Sequence, residues 1–132
     1  MTRLLIVATV ALGLTSCAPG GMSSGDRAAV AQPERQCFLS QTMVNFRSDG
    51  DTTTYVRAGR GSVFELSSGF CRGLNSARSL AISGNRTCTG ETVDLAVSGP
   101  SLTNENNSVC RAKVVRQLTQ AEVAALPARL RP

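Results

Sequence analysis

Five cysteines and no histidine limit the chemistry open to this chain. Without an imidazole, the common Ser-His and Cys-His nucleophile pairs are ruled out. Cys37, Cys71, Cys88 and Cys110 are spread along the sequence with no Cys-x-x-Cys knuckle, so a zinc site lacks its usual ligand pattern. The acids offer little more. Asp49 and Asp51 flank Gly50 in a polar turn, but the spaced oxygen ligands and closing Glu of a calcium loop are missing. Gly59-Arg60-Gly61 is no phosphate loop, because no helix follows it. Glu65 and Asp94 fall on outward positions of strand patterns, where a solvated carboxylate is the ordinary reading. One group remains: Tyr55, Arg57 and Arg60 cluster around a turn and can form a small ligand or partner patch. No motif calls for a cofactor or a metal, so none is expected.

The N-terminus removes one cysteine from this inventory. Arg3 precedes an apolar run from Leu4 to Leu14, broken only by Thr9 and Gly13. That order is typical of a secretory signal, and it is shorter than the roughly 20 apolar residues that span a bilayer. Its end, Leu14-Thr15-Ser16-Cys17, resembles the lipobox of bacterial lipoproteins. The resemblance implies lipidation of the Cys17 thiol and a cut after Ser16, making residues 1–16 the signal peptide. Each buried methylene contributes about 0.8 kcal/mol, so two or three acyl chains on one residue make desorption negligible. Ala18 stands where an Asp retains members of that class in the inner membrane. The expected address is therefore the bacterial cell envelope, on the outer membrane facing the periplasm, with the membrane as partner through the lipid anchor.

Four cysteines are left, an even set in a small exported domain. They imply two disulfides, with all three connectivities open. The chain has no Trp, one Tyr and four Phe, so its core is modest and leans on those staples. Each bridge closes a loop of tens of residues, worth roughly 3–4 kcal/mol in the chain-entropy model. The net charge of +5 comes from basic residues without a block of five or more. Export removes nucleic acid as an expected partner. A solvated basic surface is the ordinary reading, with anionic headgroups, lipopolysaccharide or cell-wall polymers as the alternative.

Residues 18–36 are small, polar and punctuated by Gly and Pro, and they cannot bury themselves. With Cys17 they read as a lipidated flexible tether, spanning about 25 Å as a random coil. A single β-rich domain is expected over 37–132. Val44-Asn45-Phe46 reads as a short strand before the Ser48–Asp51 turn. Thr52–Arg57 and Ser62–Ser67 form a hairpin around Ala58-Gly59-Arg60-Gly61, with Phe64 and Leu66 on one face. Ser79–Ser83 is a further candidate strand. Val93, Leu95 and Val97 alternate strictly, as in a half-buried strand. Thr103–Asn107 reads as an exposed loop, and Cys110, Ala112 and Val114 alternate inward. Thr119 and Glu122 make a capping box for one short C-terminal helix, stapled by Leu118 and Val123 and stopped by Pro127. The expected fold class is mainly β: a small antiparallel sheet or partly open barrel, disulfide-stapled, with that one short helix.

The order Cys37-Phe38, Tyr55-Val56-Arg57-Ala58-Gly59, Phe70-Cys71-Arg72-Gly73-Leu74, Cys88 and Cys110 is distinctive. It closes with Val115–Thr119 and Glu122–Leu126. From Cys37 onward the arrangement resembles a proteobacterial lipoprotein family catalogued only as domain of unknown function 6491. That resemblance implies class and location but brings no substrate. The expected function is a non-catalytic envelope lipoprotein, an interaction or structural module contacting an envelope protein or the cell wall. The alternative is an inhibitor of a hydrolase such as lysozyme. Small lipidated β-barrels of that kind insert a Ser-Gly loop into the enzyme, for which Ser67-Ser68-Gly69 and Ser83-Gly84 are the candidates here.

Overall fold

The computed structural model describes residues 34–100 and 108–132. The leader, Cys17, the tether up to residue 33 and the 103–107 loop lie outside the described residues. Eight strands run in chain order: β1 (Cys37–Leu39), β2 (Met43–Asp49), β3 (Thr53–Ala58), β4 (Ser62–Ser68), β5 (Ser79–Ile82), β6 (Arg86–Cys88), β7 (Thr92–Ser98) and β8 (Ser108–Leu118). One α-helix, α1 (Gln120–Ala125), follows. Six strands form an antiparallel sheet in the order β2-β3-β4-β8-β7-β5, which curls into a nearly closed barrel. The others, β1 and β6, form a separate two-stranded ribbon.

Side-chain alternation builds the barrel. Val56 and Ala58 of β3, Phe64 and Leu66 of β4, and Val93, Leu95 and Val97 of β7 all enter one core. The ribbon contributes to it as well, since Phe38 of β1 meets Phe64 with ring centroids 4.5 Å apart. Among the described residues three hydroxyls are buried, those of Thr54, Ser68 and Thr87, and all are satisfied, Ser68 by donating to the Thr52 carbonyl at 3.2 Å. Thr54 pairs with Ser48 at 3.1 Å, and Thr87 pairs with Ser40 at 3.2 Å. The β3–β4 corner turns through Gly59 and Gly61, at φ 56° and 111°, values a side chain would oppose.

The strands exceed the sequence expectations in two places. β2 runs on through Ser48 and Asp49, because both pair with β3 rather than turning. β8 continues past Val114 to Leu118 through a bulge opposite Glu65 and Leu66. The bulge inserts one extra residue and shifts the alternation. Arg116 and Leu118 therefore emerge on the outer face, beside Glu65 and Val63, instead of entering the barrel.

The disulfides pair Cys37 with Cys88 and Cys71 with Cys110. The first joins residues directly opposite each other in the ribbon, with Cα atoms 4.0 Å apart. The second ties the loop after β4 to β8, with Cα atoms 5.5 Å apart. The bridges interleave along the chain, with sequence separations of 51 and 39. The described region also takes in the last residues of the expected tether. Arg35 pairs with Glu91 at 2.6 Å, and the Thr89 N–H donates to the Gln36 carbonyl at 2.8 Å.

At the C-terminus the capping box is complete. The Glu122 N–H donates to Thr119 Oγ1 at 3.3 Å, and the Thr119 N–H donates to Glu122 Oε2 at 2.7 Å. Arg131 donates to the carbonyls of Leu126 and Ala124 at 2.8 and 2.7 Å, satisfying the far end of α1. A 3-10 turn at Ala128–Leu130 lies against β2 and buries Leu130. Among the described residues, no helix is long and apolar enough to cross a membrane.

Candidate functional site: an arginine-lined cleft

On the outer face of the barrel, neighbouring strands align their side chains in rows. One row runs Asn45, Arg57, Val63, Leu118. The next runs Arg47, Tyr55, Glu65, Arg116. In the first row, Val63 and Leu118 are 2% and 5% exposed although they face away from the core. Together with Val123 of α1 they line a cleft of about 450 Å³ between the β3–β4 hairpin and the C-terminal helix. The capping box sets the helix at this angle, because Thr119 follows Leu118 immediately and redirects the chain over the sheet.

Arg57, Arg60 and Arg131 line the same cleft. Arg131 is already committed to the helix carbonyls. The other two are not. Arg57 Nε is buried and has no hydrogen-bond partner among the described residues. Arg57 and Arg60 have no carboxylate within ion-pairing distance among the described residues. Most acids among the described residues are engaged elsewhere. Asp49 faces Arg129 at 3.5 Å, Asp94 faces Arg111 at 3.7 Å, and Glu65 faces Arg116 at 2.9 Å. Asp51 accepts the Asn75 N–H at 3.1 Å, so it organises a loop. Glu122 pairs with both Thr119 and Arg116. The cleft thus has net positive charge over an apolar floor, where a guanidinium is poorly screened.

A second cavity, of about 340 Å³, adjoins the first. Phe38, Leu39, Ala58 and Phe64 line it, with Arg60 and Arg86 also in its wall. Arg60 and Ser62 are shared between the two cavities. Arg86 likewise has no carboxylate partner among the described residues.

Of the three residues grouped from the sequence, the fold unites Arg57 with Arg60 and sets Tyr55 apart. Tyr55 stands in the neighbouring row and lines neither cavity. Burial raises its phenol pKa, as do the carboxylates of Glu65 and Asp49, against an opposing effect of Arg116. Cys37, Cys71, Cys88 and Cys110 are all consumed in disulfides. The two Ser-Gly segments carry internal duties. Ser68 is buried and donates to the Thr52 carbonyl at 3.2 Å, and Ser83 Oγ accepts the Asp94 N–H at 3.0 Å. Val63, Leu118 and Arg86 were not singled out from the sequence as site residues. The adjacent pair Val63-Phe64 carried a signal, since two buried neighbours in one strand require cover on both faces. Arg86 carried none.

Comparison with protein-family models, with curated protein sequences and with solved structures yields no match.

Proposed function

We propose that this protein is a lipid-anchored component of the bacterial envelope that works by binding rather than by turnover. Its β-barrel presents an anion-accepting cleft to a partner at the membrane surface. The observation that carries this reading is the pair of guanidinia, Arg57 and Arg60, unneutralised among the described residues and held over an apolar floor. The cleft lining supplies cations, amides, hydroxyls and apolar groups, the composition of a recognition site. The apolar leader ending at Cys17 supports the address, and the resemblance to the uncharacterised lipoprotein family supports the class.

Crosslinking in intact cells tests the binding role. A photo-reactive residue at Arg60 is expected to capture a discrete envelope component, and Arg57→Glu is expected to abolish the adduct. An adduct pattern identical in wild type and Arg57→Glu would refute the cleft as the binding surface. Fractionation tests the anchor separately. Cys17→Ala is expected to leave the membrane fraction, and a variant that stays there would sink the lipid assignment.

A further inference from the structure

We infer that the two cavities meeting at Arg60 form one binding site for a phosphate-headed lipid. Arg57 and Arg60 hold the phosphate, and the hydrocarbon lies against Phe38 and Leu39. The inference deepens the proposed binding role, and it rests on that reading for the membrane as the source of the lipid.

Three observations lead to this ligand. The first is the buried Arg57 Nε, a donor without an acceptor among the described residues. Buried donors in folded proteins are nearly always paired, and this unpaired one belongs to a residue that lines the cleft. The second is the number of donors. One guanidinium fork saturates the two oxygens of a carboxylate, whereas two free guanidinia match the larger oxygen set of a phosphate. Arg57 and Arg60 both line the cleft, and neither is neutralised by a carboxylate among the described residues. The third is the adjoining cavity. It is mainly apolar, with Phe38, Leu39, Ala58 and Phe64 in its wall, and it shares Arg60 with the cationic cleft. A free inorganic anion leaves that apolar wall unused. An acidic peptide satisfies the arginines but brings no apolar group by necessity. A phosphate-headed lipid places a charged head and a hydrocarbon body side by side, in the order the two cavities require. Leu39, 43% exposed, is then the apolar lip of the site rather than an isolated surface residue.

The test uses the lipidated full chain released into a non-ionic detergent. It is titrated with phosphatidylglycerol, diacylglycerol or inorganic phosphate, and bound adducts are counted by native mass spectrometry. Phosphatidylglycerol is expected to form a saturable one-to-one adduct about tenfold tighter than either of the other probes. The double variant Arg57→Gln, Arg60→Gln is expected to weaken it at least about tenfold, and Arg72→Gln, at an arginine that lines neither cavity, to leave it unchanged. If the double variant fails to fold, Arg60→Gln and Leu39→Asp, at exposed positions, serve instead, each with a severalfold loss expected. Equal binding of inorganic phosphate, equal binding of diacylglycerol, or full retention by these variants would overturn the inference. The Cys17→Ala fractionation fails or succeeds independently. A protein that binds phosphatidylglycerol yet never reaches the membrane fraction refutes the address and leaves this site standing.

Discussion

Glu122 ties the C-terminal helix to the sheet through several hydrogen bonds. Its carboxylate accepts from the Thr119 N–H and hydroxyl and from Arg116, which also reaches Glu65. The Thr119 backbone hydrogen bond comes first, then those from Arg116 and the Thr119 hydroxyl, and together they lower the Glu122 pKa from 4.5 to about 2. A depressed carboxylate pKa stabilises the fold above the unfolded value and loses that contribution as the pH falls through the folded one. Thermal stability is therefore expected to decline between pH 4.5 and about 2, and Glu122→Gln is expected to flatten that part of the profile. Melting curves of both proteins across the range check it; superimposable profiles would remove the assignment. Thr119→Ala deletes the cap oxygen and is expected to cost about 1 kcal/mol in urea unfolding. Gly99 has a different vulnerability. A methyl group there would sit 2.8 Å from the Ser76 carbonyl oxygen, a backbone atom that cannot swing away. Gly99→Ala is expected to destabilise by roughly 1–3 kcal/mol, as overpacking does. A denaturation midpoint equal to wild type would mean that the Ser76 backbone yields. The Thr119–Glu122 cap was legible in the sequence because its spacing is local. The clash at Gly99 was not, because only the fold brings residue 76 to it.

At the scale of elements, strands were readable wherever one side faces the core and the other faces water. β7 alternates without interruption and was recognised nearly residue for residue, as was the β3–β4 hairpin with its glycine corner. β1 and β6 are not legible in the sequence because three-residue strands carry no period; what holds them is their mutual pairing and a disulfide. β8 was recognised only as far as Val114, since the bulge breaks the alternation that sequence reading depends on. The disulfide framework belongs to this scale as well. Four even cysteines predict two bridges, but the choice of Cys37–Cys88 with Cys71–Cys110 needs the ribbon and the β4–β8 approach. Non-reducing peptide mapping is expected to recover these two pairs, and any Cys37–Cys71 peptide would contradict the topology. Replacing both Cys37 and Cys88 by Ala is expected to cost about 4 kcal/mol by the loop-entropy argument. Equilibrium urea unfolding measures that loss.

At the scale of the whole molecule, stability rests on one core inside a curled sheet, and recognition rests on what the outer face collects. Leu95 is fully buried in that core, so Leu95→Ala is expected to cost roughly 2–5 kcal/mol. Leu39→Ala, at the exposed lip, is expected to stay within about 0.5 kcal/mol of wild type. Chemical denaturation of the pair separates core from site, and comparable losses would show that Leu39 is structural. By itself the sequence determined the β class, the hairpin, the capped helix, the even cysteine count and the absence of an imidazole. Those are properties of composition and short-range period. Only the tertiary structure decided the disulfide partners, the second apolar pair of Val63 and Leu118, and the separation of Tyr55 from Arg57 and Arg60. Sheet register places each side chain opposite neighbours tens of residues away, and a one-residue bulge reverses which face it occupies. The arginine cleft is the product of those two long-range choices. It appears where a bulge turns Leu118 outward and a capped helix folds back across it, beside guanidinia with no carboxylate partner among the described residues.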